Sequence, residues 1–206
     1  MTLKIFEDEL RTECKRLYSS LRDGSRNKKL KNKKINSLTD IFFLGRKNPR
    51  KLFQGCAITF GNVLENTLMN YAEKMGANVY REKSFLSLEI DGLFRIVDIV
   101  YNLESKANIE LDKEKTREAF EALKRKHEIV FNGLECRNKR WQVISKIIVW
   151  TKETSEDAAK TAKKPLEEKH LMGFKDFFEL FYVIVVKDDF FSMLQRVWIE
   201  EVEVFF

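Results

Sequence analysis

Between Phe85 and Leu103 the chain is crowded with β-branched and aromatic side chains: Phe85, Leu86, Leu88 and Ile90, then Leu93, Phe94, Ile96 and Val97, then Ile99, Val100, Tyr101 and Leu103. Such residues favour a pleated, half-buried surface. Asp91-Gly92 and Val97-Asp98 break the run with turn-forming residues. The sequence therefore predicts three strands from Val79 onward rather than one. The run gives way to Glu104-Ser105-Lys106-Ala107-Asn108, followed by Leu111-Asp112-Lys113-Glu114-Lys115. In an extended strand residues i and i+2 share a face, so Glu104 and Lys106 project together. Asn108 joins them if the strand continues. A hairpin joining the segment that ends at Asp91 to the Glu104 strand brings a second carboxylate alongside. Two carboxylates and an amine at one strand end can hold a divalent cation and activate water against a phosphodiester.

Helical spacing brackets these strands. Leu3, Phe6, Leu10, Leu17 and Leu21 predict an amphipathic helix over 3–22, ended by Asp23-Gly24-Ser25. Residues 40–55, with Gly45 and Pro49, read as a loop or turn. Phe60, Val63, Leu64, Leu68, Tyr71, Ala72 and Met75 form the stripe of a helix over 59–75, with Gly76 as its stop. Asp112 is placed to cap a helix running to about Glu128. Its inward side carries Ala119, Phe120, Leu123 and His127, and its exposed side Lys113, Arg117 and Lys124. Trp141 to Thr151 reads as a buried strand, and Lys152 to Lys169 as an exposed helix or loop. Gly173 to Phe191 reads as a helix merging into a strand over Val183–Val186. Phe190 to Trp198 looks helical. The fold class expected is α/β, with a central mixed sheet flanked by helices. The whole chain, 1–206, is expected to form one domain, with an N-terminal helix and basic segment over about 1–55 and a core over about 56–206.

With 206 residues, 44% of them hydrophobic, and 17 Phe, the chain can fill a sizeable core and is not globally disordered. The net charge of +6 suits a polyanionic partner without requiring one. Cations concentrate at Lys28, Lys29, Lys31, Lys33 and Lys34, beside Arg26, and again at Arg46, Lys47, Arg50 and Lys51. These runs are candidates for phosphate contact, and equally serve as solvated surface. Cys14, Cys56 and Cys136 are far apart and form no Cys-x-x-Cys pair, which disfavours zinc and suits a reducing compartment. No apolar run approaches the roughly 20 residues needed to span a bilayer. The N-terminus lacks the plan of a signal peptide. A cytoplasmic protein without a membrane partner is expected. His127 and His170 have no partner motif and read as core or surface residues. No glycine-rich phosphate loop or nucleophile elbow is present.

Asp91, Glu104-Ser105-Lys106 and the Lys-x-Asn…Leu-Asp-x-Glu-Lys run into a helix resemble the PD-(D/E)xK nuclease superfamily, in particular type II restriction endonucleases. Ile90 stands where the name-giving proline would be. The resemblance implies an αβββαβ core and Mg²⁺-dependent, sequence-specific cutting of double-stranded DNA by a homodimer. It implies Asp91, Glu104 and Lys106 as catalytic residues, with Asp91, Glu104 and the Ser105 carbonyl on the metal. Asp98 is the rival to Asp91; it stands so close before Glu104 that a linking hairpin would be very tight, and a turn position explains it equally well. Glu65, on the first core helix, and Asn108 are auxiliary candidates, and Lys115, with Arg117, a possible phosphate contact. The alternatives are a repair or junction-resolving nuclease on the same core, or a DNA-binding protein without catalysis.

Overall fold

The structure is a computed structural model that describes residues 2–22, 50–81, 90–106, 113–161 and 168–201, with side chains described for 3–16, 60–81, 90–106, 118–161 and 168–201. The elements are α1 (Thr2–Arg22), α2 (Arg50–Lys74), β1 (Asn78–Val79), β2 (Gly92–Ile96), β3 (Ile99–Lys106), α3 (Lys113–Gly133), α4 (Cys136–Lys139), β4 (Gln142–Val149), α5 (Ser155–Thr161), β5 (Leu171–Gly173), α6 (Phe174–Glu179) and α7 (Lys187–Glu201). A 3₁₀ turn at Glu168–His170 precedes β5. Contacts gather these elements into two compact units, residues 68–184 and residues 1–67 with 185–206.

The larger unit holds a five-stranded sheet in the order β1-β2-β3-β4-β5. β1, β2 and β3 pair antiparallel, while β3, β4 and β5 run parallel. The fold is α/β, with a mixed sheet flanked by helices. The β2–β3 hairpin turns at Val97-Asp98, with Val97 at φ 52°. A parallel β3–β4 pair needs a crossover, and α3 with α4 supplies it.

Side chains alternate across the sheet. On one face Leu93 and Val100 pack with Ile90, Val130, Leu134 and Cys136. Leu123 of α3 extends that layer with Ile147, Val149, Ala158 and Leu171. The opposite face carries Phe94 stacked on Tyr101 at 5.4 Å. There Tyr71 of α2 meets Phe177, Phe178 and Phe181, and Trp150 meets Phe177 edge-on at 5.7 Å. Each buried ring removes a large apolar area from water, so these aromatics dominate the core of this unit.

In the smaller unit α1 packs on α7. Phe6 lies 6.1 Å from Phe190, and Phe60 meets Trp198 edge-on at 5.3 Å. Around that apolar seam, Arg11 bridges Glu7, Glu200 and Glu201, and Arg196 reaches Glu7.

The helices over 3–22, 59–75 and 190–198 and the strand over 141–151 appear as expected, and Gly76 ends α2 at φ 89°. Three expectations need correction. Helix α2 starts at Arg50, so its first turns run through part of the segment read as a loop. The helix expected from Gly173 is present as α6, directly after β5, but the strand expected to follow it is not, since residues 183–186 form no strand. Val183 and Val185 are buried while Ile184 and Val186 are exposed, so a strand-like alternation exists without a ladder partner among the described residues. The hairpin that brings Asp91 to Glu104 is β2–β3, with Asp91 just ahead of β2, whereas the strand expected to end at Asp91 falls on residues 82–89, outside the described residues.

Gly173 joins β5 to α6 where the chain runs against the backbone of Glu153 and Thr154. A Cβ at this position would overlap those main-chain atoms. Backbone cannot rotate away as a side-chain tip can, so overpacking here is costly. Gly173→Ala is expected to lower stability by about 3 kcal/mol in urea unfolding; an unchanged midpoint would show that the loop yields freely.

Candidate active site at the end of the hairpin

The backbone directions in β3 set this site. Adjacent strand residues turn their N–H and C=O groups to opposite sides, and one residue's pair points the same way. Lys106 presents its carbonyl to the β4 side, where the Trp150 N–H donates to it at 3.1 Å. Ser105 therefore faces the other way, toward β2. The ladder between β2 and β3 ends at the Gly92–Leu103 pair, which leaves the Ser105 N–H without a strand partner. It donates instead to Asp91 Oδ2 at 2.7 Å. The Ser105 carbonyl opens to the same edge. On the opposite sheet face its hydroxyl accepts from Trp150 Nε1 at 3.0 Å, which fixes the residue in place.

Side-chain alternation sends Glu104 and Lys106 to the α3 face. Lys106 Nζ donates to Glu104 Oε1 at 2.6 Å. The other carboxylate oxygen, Oε2, accepts from Lys126 Nζ of α3. Both partners of this second pair are largely enclosed, with side-chain exposures of 17% for Glu104 and 14% for Lys126. Two residues back along β3, on the same face, Asn102 Nδ2 donates to Ser145 Oγ at 2.9 Å, and His127 Nδ1 lies 3.0 Å from the same hydroxyl. This polar layer ties α3 to β3 and β4 directly beneath the charged cluster.

The two carboxylates are pulled in opposite directions. Burial and then the nearby Glu104 push the Asp91 carboxyl above its ordinary range, outweighing the Ser105 amide and the lysines. Burial also pushes Glu104 upward, but Lys106 and Lys126 together overcome it and hold that carboxyl below its ordinary range. Asp91 is thus the acid with unmet need for positive charge. A hard divalent cation between the two would relieve both the repulsion and the desolvation. The available donors, two carboxylates and a carbonyl, are of the oxygen type such a cation takes. Among the described residues no group of three His, Cys, Asp or Glu gathers. Mg²⁺ asks for less, commonly one or two carboxylates with water and phosphate. The residues present fit it.

Asp98 lies in the turn, exposed, at the far end of the hairpin from Glu104. Glu65 belongs to the smaller unit, whereas the cluster is built within the larger one. Lys28, Lys29, Lys31, Lys33, Lys34, Arg46, Lys47, Asn108 and Asp112 lie outside the described residues, as do the side chains of Arg50, Lys51, Lys115 and Arg117. Lys126 was missed by sequence reasoning. Helical spacing puts it near the inward side, three residues after the core residue Leu123 and beside the inward His127, but does not point to its partner.

Comparisons of this chain with protein-family models, curated proteins and solved structures found no match.

Replacing each carboxylate by its amide separates the two environments. Asp91's folded value lies above its unfolded one, so its ionisation opposes folding increasingly as pH rises from the unfolded value through the folded one. Glu104's folded value is depressed, so it contributes stability above the unfolded value that is lost as pH falls through the folded one. Asp91→Asn is expected to be more stable than the parent at neutral pH, with the difference vanishing in acid. Glu104→Gln is expected to be less stable at neutral pH by about 1–3 kcal/mol, since it removes the carboxylate that both ammonium groups contact. Thermal melts across pH check both; the opposite ordering at neutral pH would contradict the assigned electrostatics.

Proposed function

We propose that this chain is a Mg²⁺-dependent endonuclease for double-stranded DNA, of the type II restriction class and working as a homodimer. The observation that carries the reading is the convergence of Asp91, Glu104 and Lys106 at one end of the β2–β3 hairpin, with the Ser105 carbonyl turned to the Asp91 edge. Hydrolysis of a phosphodiester needs charge neutralisation at the phosphate, an aligned water and help for the leaving oxygen. Bound Mg²⁺ would supply the neutralisation and acidify water. Asp91, Glu104 and the Ser105 carbonyl are the groups that would hold it. Lys106 sits two residues from Glu104 on the same face, with its ammonium at the rim of the cluster and 34% of its side chain exposed. From there it can orient the attacking water or steady charge growing on the phosphate.

The net charge of +6 supports a polyanionic substrate. A two-fold dimer would set one cutting centre on each strand of a palindromic target. No helix among the described residues is long and apolar enough to cross a membrane. Glu104 clamped by two lysines also suits a purely structural ion cluster in a DNA-binding protein that does not cut, and the same assay separates the two.

Long duplex DNA incubated with the protein and Mg²⁺ is expected to yield discrete fragments. Asp91→Asn, Glu104→Gln and Lys106→Gln should each slow cutting at least about a hundredfold while the protein stays folded. Asp98→Ala should cut like the parent. Uncut DNA under Mg²⁺, or an Asp98 variant that is dead beside an active Asp91 variant, would overturn the assignment.

A further inference from the structure

Glu104 is gripped at both oxygens by ammonium groups from two different elements, Lys106 of β3 and Lys126 of α3. With Asp91 and Glu104 ionised, the cluster carries two negative and two positive charges, which cancel. A divalent cation entering it meets two ammonium groups already occupying the oxygens it needs, and like charges this close repel strongly in a shielded site. The two lysines are not equivalent. Lys106 stands at the rim. Lys126 is set by α3, which Leu123 anchors against Ile147 and Val149, and its side chain is more enclosed than that of Lys106.

Building on the nuclease reading above, we propose that Lys126 holds Glu104 closed to Mg²⁺ until a DNA phosphate arrives. A phosphodiester offers the ammonium anionic oxygens of its own, a partner lysine binds readily. Moving onto it, Lys126 frees Glu104 Oε2 for the cation, and the phosphate restores the negative charge the cation requires. DNA and Mg²⁺ then favour each other's binding, and the coupling is reciprocal. Lys126 thus guards against metal loading, and idle hydrolysis, in the absence of substrate.

Titration calorimetry with Mg²⁺ on the full chain, without DNA, tests this. Lys126→Gln removes the charge but keeps a hydrogen-bond donor for Glu104, and Lys126→Met gives a second neutral variant should the first fold poorly. Lys126→Arg retains the charge, and Asp91→Asn identifies heat that belongs to this pocket. The neutral variants are expected to bind Mg²⁺ on the order of tenfold more tightly than the parent, with Lys126→Arg matching the parent. Unchanged or weaker binding in the neutral variants, with heat that vanishes in Asp91→Asn, would overturn the guarding role and leave the nuclease reading standing. If neither the parent nor the neutral variants bind Mg²⁺ and the parent leaves duplex DNA uncut, the nuclease reading itself fails.

Discussion

The bond from the Ser105 amide to Asp91 is the constraint on which the site depends. It forms because β2 starts at Gly92, one residue too late to pair with β3 beyond Leu103. A strand end leaves backbone groups that something must satisfy. Here a carboxylate does so, and is drawn to the position where the Ser105 carbonyl and the Glu104 side chain also arrive. Gly92 lets the hairpin begin this close to α2: a Cβ there would come within 2.9 Å of the Leu68 side chain and 3.3 Å of Leu103. The packing of α2 on one sheet face and the chemistry at the hairpin's end are therefore joined through one residue without a side chain.

Electrostatics then distinguishes two acids that look equivalent in composition. Glu104 has two lysines and is settled in its ionised form. Asp91 has an amide, a neighbouring negative charge and little water, and its ionised form is disfavoured. Such divergence between paired carboxylates is common where charge is to be received or transferred, although structural ion clusters also produce it. The opposite sheet face, lined by Trp150, Phe177 and Tyr71, contributes rigidity: the Trp150 indole holds the Ser105 hydroxyl and so fixes the residue whose backbone serves the site.

Much of the larger unit was legible in the sequence because its signals are local. The i, i+2 spacing of Glu104 and Lys106 in a strand gave their shared face directly, and Val97-Asp98 marked the hairpin turn. Helix stripes and Gly76 fixed where α2 ends. The remainder depended on partners distant in sequence. Nothing near Lys126 announces a carboxylate twenty-two residues upstream, since only the β3–α3 crossover brings Glu104 to it. The Asn102–Ser145–His127 layer likewise spans three elements. Val183 to Val186 alternates as a strand would, yet a strand also needs a ladder, and periodicity alone cannot supply one. Arg50 to Gly55 shows the converse, as a segment following a proline continued into the long helix behind it.

Crystals of the protein in complex with duplex DNA, soaked in Mn²⁺, with an anomalous difference map, would test the central claim most directly. The account predicts a single strong peak about 2.1–2.3 Å from a carboxylate oxygen of Asp91 and one of Glu104, with the Ser105 carbonyl turned toward it. A map with Mn²⁺ bound elsewhere, while Glu104 keeps both lysines and Asp91 holds only the Ser105 amide, would contradict it.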